Sequence, residues 1–428
     1  MSRLSLLHPA SIGMGLHVAS VRVRRAIRGH KRHTGSAEEI LRAGLEDCWS
    51  GRYLTASPGT YKQFWTRDTG FAAPSLVRLG GVWPGRLLST LEWAFGVWTT
   101  LDRAAQVWNG RRAPRAHVTT TISPVVRWPV DIFDYGVDSL PLLLHALHAL
   151  ARSSDEPAAV RARGLALEHA GWIAAEVEHF VERVVDPSTG LVRSDRHFSA
   201  HRDTFRNGST AYANTMVALL GRTVAETGWG PDLLSRHFAV GGGGEGPDGP
   251  DGPVAPDGPD WGVLLRRHFW MGDRFRDRLG SDETSGEANI WPFHAGLVSD
   301  ASMLADALGT LRREGYATPY PLRFDVAHRS AGQLWAFRIW SADYQTTTSW
   351  TSLGSIYLAL LRRVDPAAAR VELDRMRELI ERDGTFWEVL DGSGRPWKSK
   401  SRLSVSDASM LWGAILLETL EADRATAS

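Results

Sequence analysis

The stretch WTRDTGFAAPSLVRLG, from Trp65 to Gly80, opens with polar residues and then runs into a mostly apolar helical pattern. Ser, Thr, Asp and Asn are good N-caps at such a start, because their side-chain oxygens accept the unpaired N–H groups of the first turn. A helix that is apolar nearly all round must be covered by other helices. The stretch therefore predicts a buried helix that starts near Asp68.

The same pattern recurs along the chain. Two of the stretches contain the literal repeat VSDASML, at Val298–Leu304 and at Val405–Leu411. Amphipathic stretches with apolar residues at three-to-four spacing lie between them, for example from Ala37, Glu168 and Ala367. The six apolar stretches are identified by the reference positions Asp68, Asp138, Tyr212, Asp300, Ser352 and Asp407.

Exposed and buried helices that alternate six times predict an all-α fold, the (α/α)6 toroid, with six inner helices ringed by six outer ones. We expect one barrel domain over residues 36–422. A basic N-terminal segment, residues 1–35, precedes it and is expected to be poorly ordered. The stretch from Gly241 to Asp260 is Gly/Pro-rich, cannot form a packed structure, and is expected to be a flexible insertion.

Composition narrows the classes of partner. The 428 residues include 49 Lys+Arg and 48 Asp+Glu, so balanced charge favours neither nucleic acid nor an anionic membrane. The single cysteine, Cys48, excludes an intramolecular disulfide, and scattered histidines give no metal motif. No leader or long apolar span is evident. We therefore predict a cytoplasmic protein without metal or cofactor.

Carboxylates gather at one end of the predicted toroid, because the inner helices are parallel and their N-termini meet there. Glycoside hydrolysis needs two carboxylates, one to protonate the leaving oxygen and one to activate water or attack the sugar. Glu388 lies in a loop between Phe386-Trp387 and Asp391-Gly392, where no helix needs a cap. We predict catalysis by Asp138 and Glu388, and substrate contact by Asp68.

For Asp300 and Asp407, inside the repeated SDASML, helix capping is the favoured interpretation. Two other loops mix polar groups with aromatics, as sugar-binding subsites do. Phe198–Gly208 carries Arg202 and Asp203, and Gly286–Gly296 carries Trp291 and His294. The chain also has 18 tryptophans, most of which are expected in the core.

Three of these motifs together resemble a known family, the alkaline/neutral invertases. YKQFWTRDTGFAAPSLVRL (Tyr61–Leu79) is similar to their aromatic-rich segment that leads into Arg-Asp and an inner helix. YGVDSLPLLLHAL (Tyr135–Leu147) resembles their Val-Asp-Ser motif, and FWEVLDGSGRPWKSKSR (Phe386–Arg402) their Trp-Pro-Glu-Tyr-Tyr-Asp-Gly region. The resemblance implies an (α/α)6 barrel and an inverting glycoside hydrolase that uses no metal.

Carried over residue by residue, the resemblance implies Asp138 as proton donor, Glu388 as base and Asp68 as substrate ligand. Phe-Trp-Glu-Val-Leu departs from the family's Trp-Pro-Glu-Tyr-Tyr, and Leu140-Pro141 replaces its Gly and aromatics, so the sugar stays open. Glucoamylases and glycogen-debranching glucosidases share the barrel and a similar pair of carboxylates.

The prediction is an inverting hydrolase of a small, α-linked glucoside. A disaccharide phosphorylase on the same barrel and a non-catalytic carbohydrate-binding barrel remain as alternatives. The predicted substrate-binding residues are Tyr61, Phe64, Trp65, Arg67, Asp68, Asp134, Tyr135, Arg202, Asp203, Trp291, His294, Trp387 and Arg402.

Overall fold

A computed structural model of the protein describes residues 20, 21, 23, 29–108, 117–123, 128–131, 135–239, 258–328, 332–335, 338, 342–400 and 404–427. The predictions for the N-terminal segment 1–35 and the insertion 241–260 fall mostly outside the described residues. Two predicted site residues, Asp134 and Arg402, also lie outside them.

Helices dominate the described residues, and the strands are few and short. The helices are α1 (Ala37–Asp47), α2 (Thr66–Leu79), α3 (Trp83–Trp108), α4 (Ser139–Ala151), α5 (Glu156–Glu168), α6 (Ala170–Val184), α7 (Ala211–Thr227), α8 (Val263–Phe269), α9 (Trp291–His294), α10 (Ala301–Arg313), α11 (Thr351–Val364), α12 (Pro366–Asp383) and α13 (Gly413–Ala427). The strands are β1 (Phe64–Trp65), β2 (Thr121–Ser123), β3 (Trp128–Val130), β4 (Ser349–Trp350) and β5 (Val389–Leu390).

Six helices pack side by side in a closed order. Helix α2 contacts α4, α4 contacts α7, α7 contacts α9, α9 contacts α11, α11 contacts α13, and α13 returns to α2. Neighbouring helices cover them on most sides: every residue of 66–73 in α2 and of 211–221 in α7 is buried. Helices that are apolar all round can be stable only inside such a packing.

The remaining longer helices lie outside this ring and bury one face. Helix α12 packs on α11 and α1, and its buried residues Leu373, Met376 and Ile380 follow the three-to-four spacing expected of an amphipathic helix. Helix α1 starts with a capping box in which Ser36 and Glu39 each accept the other's backbone N–H. The amphipathic stretches predicted near Ala37, Glu168 and Ala367 are the outer helices α1, α6 and α12.

The fourth buried helix was predicted one segment too late. The short α9 fills that place in the ring, whereas α10 lies outside it and packs against α11. Asp300 does cap α10, because its Oδ1 accepts the backbone N–H groups of Ser302 (2.8 Å) and Met303 (3.1 Å). In its first copy, the repeated SDASML therefore marks the start of an outer helix and not of a ring helix.

The second copy of SDASML does not start a helix, since α13 begins only at Gly413. The carboxylate of Asp407 accepts hydrogen bonds from Ser57 Oγ (2.5 Å) and from the backbone N–H groups of Thr60 (2.6 Å) and Ala408 (2.9 Å). The prediction that Asp407 caps a helix is therefore wrong. Its side chain instead links the segment before β1 to the segment before α13 through these hydrogen bonds.

Short strand pairs hold the loops at one end of the ring. Strands β1, β2 and β3 form an antiparallel sheet, with Trp65 opposite Thr121, directly before α2 begins. Strands β4 and β5 pair with Trp350 opposite Val389, directly before α11 begins. The second pair fixes the loop that carries Glu388, whose carbonyl accepts the N–H of Thr351 at 3.1 Å.

Within the part of the chain that the structure describes, no helix combines the length and apolar character needed to cross a membrane.

Close packing inside the ring predicts a stability effect at Gly70 in α2. A Cβ added there would lie 2.5 Å from Leu142 Cβ and 2.9 Å from the Leu142 carbonyl oxygen in α4. We expect Gly70→Ala to lower the free energy of unfolding by about 1–3 kcal/mol, as overpacking of a core does. Denaturant or thermal unfolding measures this.

Gly85→Ala in the outer helix α3 is the matched control, since a Cβ there meets no atom within 4 Å. It should leave the stability unchanged or raise it by up to about 1 kcal/mol, because alanine favours helix. Equal stability of the Gly70→Ala and Gly85→Ala proteins would contradict the close approach of α2 and α4.

Candidate active site

A cavity of about 190 Å³ lies at the end of the ring where the loops that enter the inner helices meet. Its wall combines carboxylates with a large aromatic surface. The polar lining residues are Arg67, Asp68, His201, Asp203, Thr204, Gln345 and Glu388, and the others are Tyr61, Trp65, Phe71, Tyr344, Trp350, Met410 and Trp412.

Glu388 is 3% exposed and is held from two sides. The Tyr344 hydroxyl donates to Oε1 at 2.5 Å, and the backbone N–H of Asp407 donates to Oε2 at 3.0 Å. The Tyr344 hydroxyl also lies 3.2 Å from the hydroxyl of Tyr61. Both of these bonds are donated to the carboxylate, so they stabilise the ionised form of Glu388 and fix its orientation.

Asp203 faces the same cavity from the loop before α7, and its side chain is 21% exposed. Its Oδ2 accepts a hydrogen bond from Arg67 Nη1 at 2.9 Å, and its Oδ1 accepts one from Ser199 Oγ at 3.0 Å. Burial raises the pKa of Asp203 above its ordinary value, and the nearby charge of Asp138 adds to the rise, although the Arg67 guanidinium opposes it.

Asp138 lies behind this arrangement and does not belong to the lining. Its side chain is fully buried, and both oxygens are engaged by Arg67, with Nε at 2.5 Å from Oδ2 and Nη2 at 3.3 Å from Oδ1. The Tyr212 hydroxyl donates a further hydrogen bond to Oδ2 at 2.8 Å. The sequence predicted Asp138 as proton donor, but the structure places its carboxylate where it pairs with Arg67.

Asp68 is the third carboxylate in the wall, in the first turn of α2, and it is 8% exposed. Burial raises its pKa to about 7, and the charges of Asp203 and Glu388 act in the same direction, while Arg67 opposes them. Asp203 is partly exposed, whereas Asp68 is buried.

Buried polar atoms of the lining residues that lack a hydrogen-bond partner in the described structure include Trp65 Nε1 and Thr204 Oγ1. A buried donor without a partner is costly, and a ligand that brings hydroxyl groups would satisfy both atoms. Together with the carboxylates and the aromatic faces of Phe71 and Trp350, they suit a polar ligand with flat apolar faces, as a sugar has.

Arg202 was predicted in the pocket, but it points away from the cavity. Its side chain is 3% exposed, with Nη2 at 3.1 Å from Asp325 Oδ1 and Nε at 3.3 Å from Glu287 Oε1. The adjacent His201 lines the cavity, and its Nδ1 lies 3.5 Å from Glu287 Oε2. Burial lowers the pKa of His201 well below its ordinary value, so the ring is neutral.

The structure brings six predicted residues to the cavity, namely Tyr61, Trp65, Arg67, Asp68, Asp203 and Glu388. Others support the wall or lie elsewhere: Trp291 is buried and packs on Phe71 with ring centroids 4.5 Å apart. The Trp387 indole donates to Asp383 at 2.8 Å and is outside the lining.

Phe64, Tyr135 and His294 also lie outside the lining. Phe64 packs in the core against Trp93 and Trp98, and Tyr135 stacks on His117. Burial lowers the pKa of His294, at the end of α9, to about 4, and the charges of Arg78 and Arg363 act in the same direction. A loop composition rich in aromatics did not reveal which side chains turn inward.

The sequence interpretation missed several lining residues, in particular Tyr344, Gln345 and Trp350. They precede α11 as Trp65 precedes α2, so the rule that pocket residues enter the inner helices could have found them. Gln345 ties two loops together, because its Oε1 accepts the N–H of Thr204 at 2.8 Å and its Nε2 donates to the carbonyl of His201 at 3.0 Å.

Across the described residues, no group of three or more His, Cys, Asp or Glu side chains is arranged to hold a metal ion.

The raised pKa of Asp68 predicts a pH-dependent cost in stability. The folded protein holds this proton up to about pH 7, whereas the ordinary value is 3.8. Stability is therefore lost as the pH rises from about 4 to about 7, by up to about 1.4 kcal/mol per pH unit for this group. We expect Asp68→Asn to unfold at higher denaturant concentration than the wild type at pH 8.

This advantage of Asp68→Asn should shrink towards pH 4, because Asp68 is then neutral in both states. Asp300→Asn serves as the control, since Asp300 is an exposed cap whose pKa is lowered by hydrogen bonds from Ser302 and Met303. It should be destabilised at pH 8. An Asp68→Asn protein that is less stable than wild type at pH 8 would contradict the burial of an ionised Asp68.

Comparison with known proteins gives independent evidence on the fold. No family model and no curated protein matches the sequence. Among solved structures, the chain resembles a glycosidase in complex with glucose, at 15% identity and a TM-score of 0.56, covering 90% of this chain and 96% of that one.

It also resembles a rhamnosidase from Klebsiella oxytoca with rhamnose bound, at 13% identity, a TM-score of 0.57, and coverage of 90% and 63%. A mannosylglycerate hydrolase of family GH63 from Thermus thermophilus, in complex with Tris and D-glycerate, matches at 14% identity, a TM-score of 0.53, and coverage of 90% and 100%. At such identities the likeness shows fold alone. The chain shares the fold of these glycoside hydrolases.

Proposed function

We propose that the protein is an inverting glycoside hydrolase acting on a small, α-linked glucoside, with Asp203 as general acid and Glu388 as general base. The observation that carries this proposal is the placement of these two carboxylates on the wall of one monosaccharide-sized cavity. The glycosidase fold adds to the proposal, but the assignment rests on the site.

We infer an (α/α)6 toroid for the whole domain. The closed order of contacts through α2, α4, α7, α9, α11 and α13 supports it, as do the amphipathic helices that pack outside this ring. In a toroid the inner helices run parallel, so the loops that precede them gather at one end. This is the end where the lining residues before α2, α7, α11 and α13 meet.

Asp203 replaces Asp138 as the proposed acid for two reasons. A general acid must reach the leaving oxygen, and Asp203 lines the cavity while Asp138 does not. A general acid must also keep its proton near neutral pH, and burial raises the pKa of Asp203. Asp203 is also partly exposed whereas Asp68 is buried, which favours Asp203 as the group that reaches the leaving oxygen.

Glu388 is proposed as the base because its carboxylate is oriented by Tyr344 and by the backbone N–H of Asp407. In the reaction, Glu388 takes a proton from a water molecule while the water oxygen bonds to the anomeric carbon. The bond from this carbon to the leaving oxygen breaks, and Asp203 donates its proton to that oxygen. The products are a free sugar of inverted configuration and an alcohol.

The remaining wall residues are proposed to bind the sugar. Asp68 would accept hydrogen bonds from sugar hydroxyls, and Trp65 Nε1 and Thr204 Oγ1 would pair with sugar oxygens. The volume of about 190 Å³ equals that of roughly six water molecules at ~30 Å³ each. Such a cavity accommodates one sugar ring and favours removal of a terminal residue.

The charges in the wall favour a neutral sugar over an anionic one. Three lining residues are carboxylic acids, and the positive charge of Arg67 is shared between Asp138 and Asp203. The same feature disfavours the alternative of a phosphorylase, which needs a cationic site for phosphate. Arg67 is the one Arg or Lys among the described lining residues, and it is already paired.

Replacing each carboxylic acid by its amide tests the assignment. The substrates are sucrose, trehalose, maltose and glucosylglycerate, and NMR identifies the anomer that is released first. From any α-glucoside that the wild type hydrolyses, we expect β-glucose first. Glu388→Gln should reduce turnover by about 10²–10⁴-fold, because the attacking water loses its base. Initial release of α-glucose, or full activity of Glu388→Gln, would reject the mechanism. Glu378→Gln, on the exposed face of α12, is the matched control and should retain full activity.

Substrates with different leaving groups distinguish the proposed role of Asp203 from that of Asp68. Fluoride needs no protonation to depart, so Asp203→Asn should lose activity on disaccharides but retain much of it on α-D-glucosyl fluoride. Asp68→Asn should lose activity on both substrates, because it weakens binding of the sugar itself. If Asp203→Asn is equally impaired with fluoride and with the disaccharide, Asp203 is not the acid.

A further inference from the structure

Arg67 is buried between two carboxylates that have different surroundings. Its Nη1 meets Asp203 at the cavity wall, while its Nε and Nη2 meet the fully buried Asp138. We propose that Asp138 is a positioning residue that sets the acid strength of Asp203 by neutralising Arg67. The inference rests on the proposed function, since it concerns the acid of that reaction.

Geometry assigns Asp138 this indirect role. Its side chain is fully buried, and its oxygens are occupied by Arg67 and by the Tyr212 hydroxyl, so these bonds leave it facing the protein and not the cavity. It lies at the N-terminus of α4 but makes no side-chain cap bond there. Helix capping therefore does not account for this carboxylate, and its contacts point to Arg67.

The charges of Arg67 and Asp138 both act on the proton affinity of Asp203. A guanidinium that touches one carboxylate at 2.9 Å stabilises the ionised form and lowers its proton affinity. A general acid in that position would be deprotonated too easily. A second buried carboxylate on the far side of Arg67 offsets this effect, and the interaction is strong because the site is buried.

The other charged and titratable groups around Asp203 do not take over this role. His201, in the same loop, is neutral, and Arg202 is paired with Asp325 and Glu287 behind the wall. Burial raises the pKa of Glu287 to about 8, although the charge of Arg202 lowers it. The other titratable groups on the elements around the cavity are Asp68 on α2, Tyr212 on α7, Tyr61 before β1, Tyr344 before β4 and Glu388 before β5.

The pH profile of kcat/KM tests the proposal, with methyl α-D-glucoside as the probe because its leaving group needs protonation. The alkaline limb reports loss of the proton from the acid, and the acidic limb reports protonation of the base. Asp138→Asn removes the offsetting charge, so the alkaline limb should move down by about one pH unit. The acidic limb should stay where it is in the wild type.

Tyr212→Phe is the matched control, because it removes a hydrogen bond to Asp138 without removing the charge. Its alkaline limb should stay at the wild-type position even if its rate falls. If Asp138→Asn lowers the maximum of kcat/KM and leaves both limbs of the pH profile in place, the proposal is overturned and the role of Asp138 is purely structural.

A double variant covers the case in which Asp138→Asn does not fold. Arg67→Gln with Asp138→Asn removes both buried charges together, so no unpaired ion remains between them. Its alkaline limb should lie above that of the wild type, because Arg67 affects Asp203 more strongly than Asp138 does. An unmoved limb would show that these charges do not set the acid strength.

Failure of this inference is distinct from failure of the proposed function. If α-D-glucosyl fluoride does not rescue Asp203→Asn, the acid is misassigned and the proposed function fails first. If fluoride does rescue it, while Asp138→Asn keeps the wild-type alkaline limb, the enzyme assignment stands and the role of Asp138 is wrong.

Discussion

The buried guanidinium of Arg67 is the constraint on which the site depends. It lies at 5% exposure in the first turn of a ring helix, where an unpaired charge would be prohibitively costly. Two carboxylates satisfy it, Asp138 from the start of α4 and Asp203 from the loop before α7. Three successive inner-helix entries are thereby fixed relative to one another, and one of the two carboxylates is left facing the cavity.

A second set of contacts fixes the part of the wall that carries Glu388. Asp407 fastens the segment that carries Thr60 and Tyr61, and its own backbone N–H orients Glu388. Tyr344 completes this wall by donating to Glu388. The two proposed catalytic groups are therefore held by separate sets of hydrogen bonds, Asp203 by Arg67 and Ser199, and Glu388 by Tyr344 and the backbone of Asp407.

Much of the fold followed from the sequence, because helix periodicity and capping residues are local signals. Stretches that are apolar all round identified buried helices at Asp68, Asp138, Tyr212 and Ser352, and amphipathic stretches identified the outer helices α1, α6 and α12. The fourth buried helix was misplaced, since α9 has four residues and too short a pattern to detect. Its neighbour α10 carried the stronger start signal at Asp300 although it lies outside the ring.

The sequence by itself determined that acids and aromatics would gather where the inner helices begin, and it singled out Glu388 in a loop that needs no cap. It could not decide between Asp138 and Asp203. Both follow aromatic, loop-like sequence before a buried helix, and their neighbours in the chain look alike. Only the tertiary structure distinguishes their surroundings, because Arg67, which is distant from both in sequence, bonds both oxygens of Asp138 but one oxygen of Asp203, and Asp203 lines the cavity while Asp138 does not.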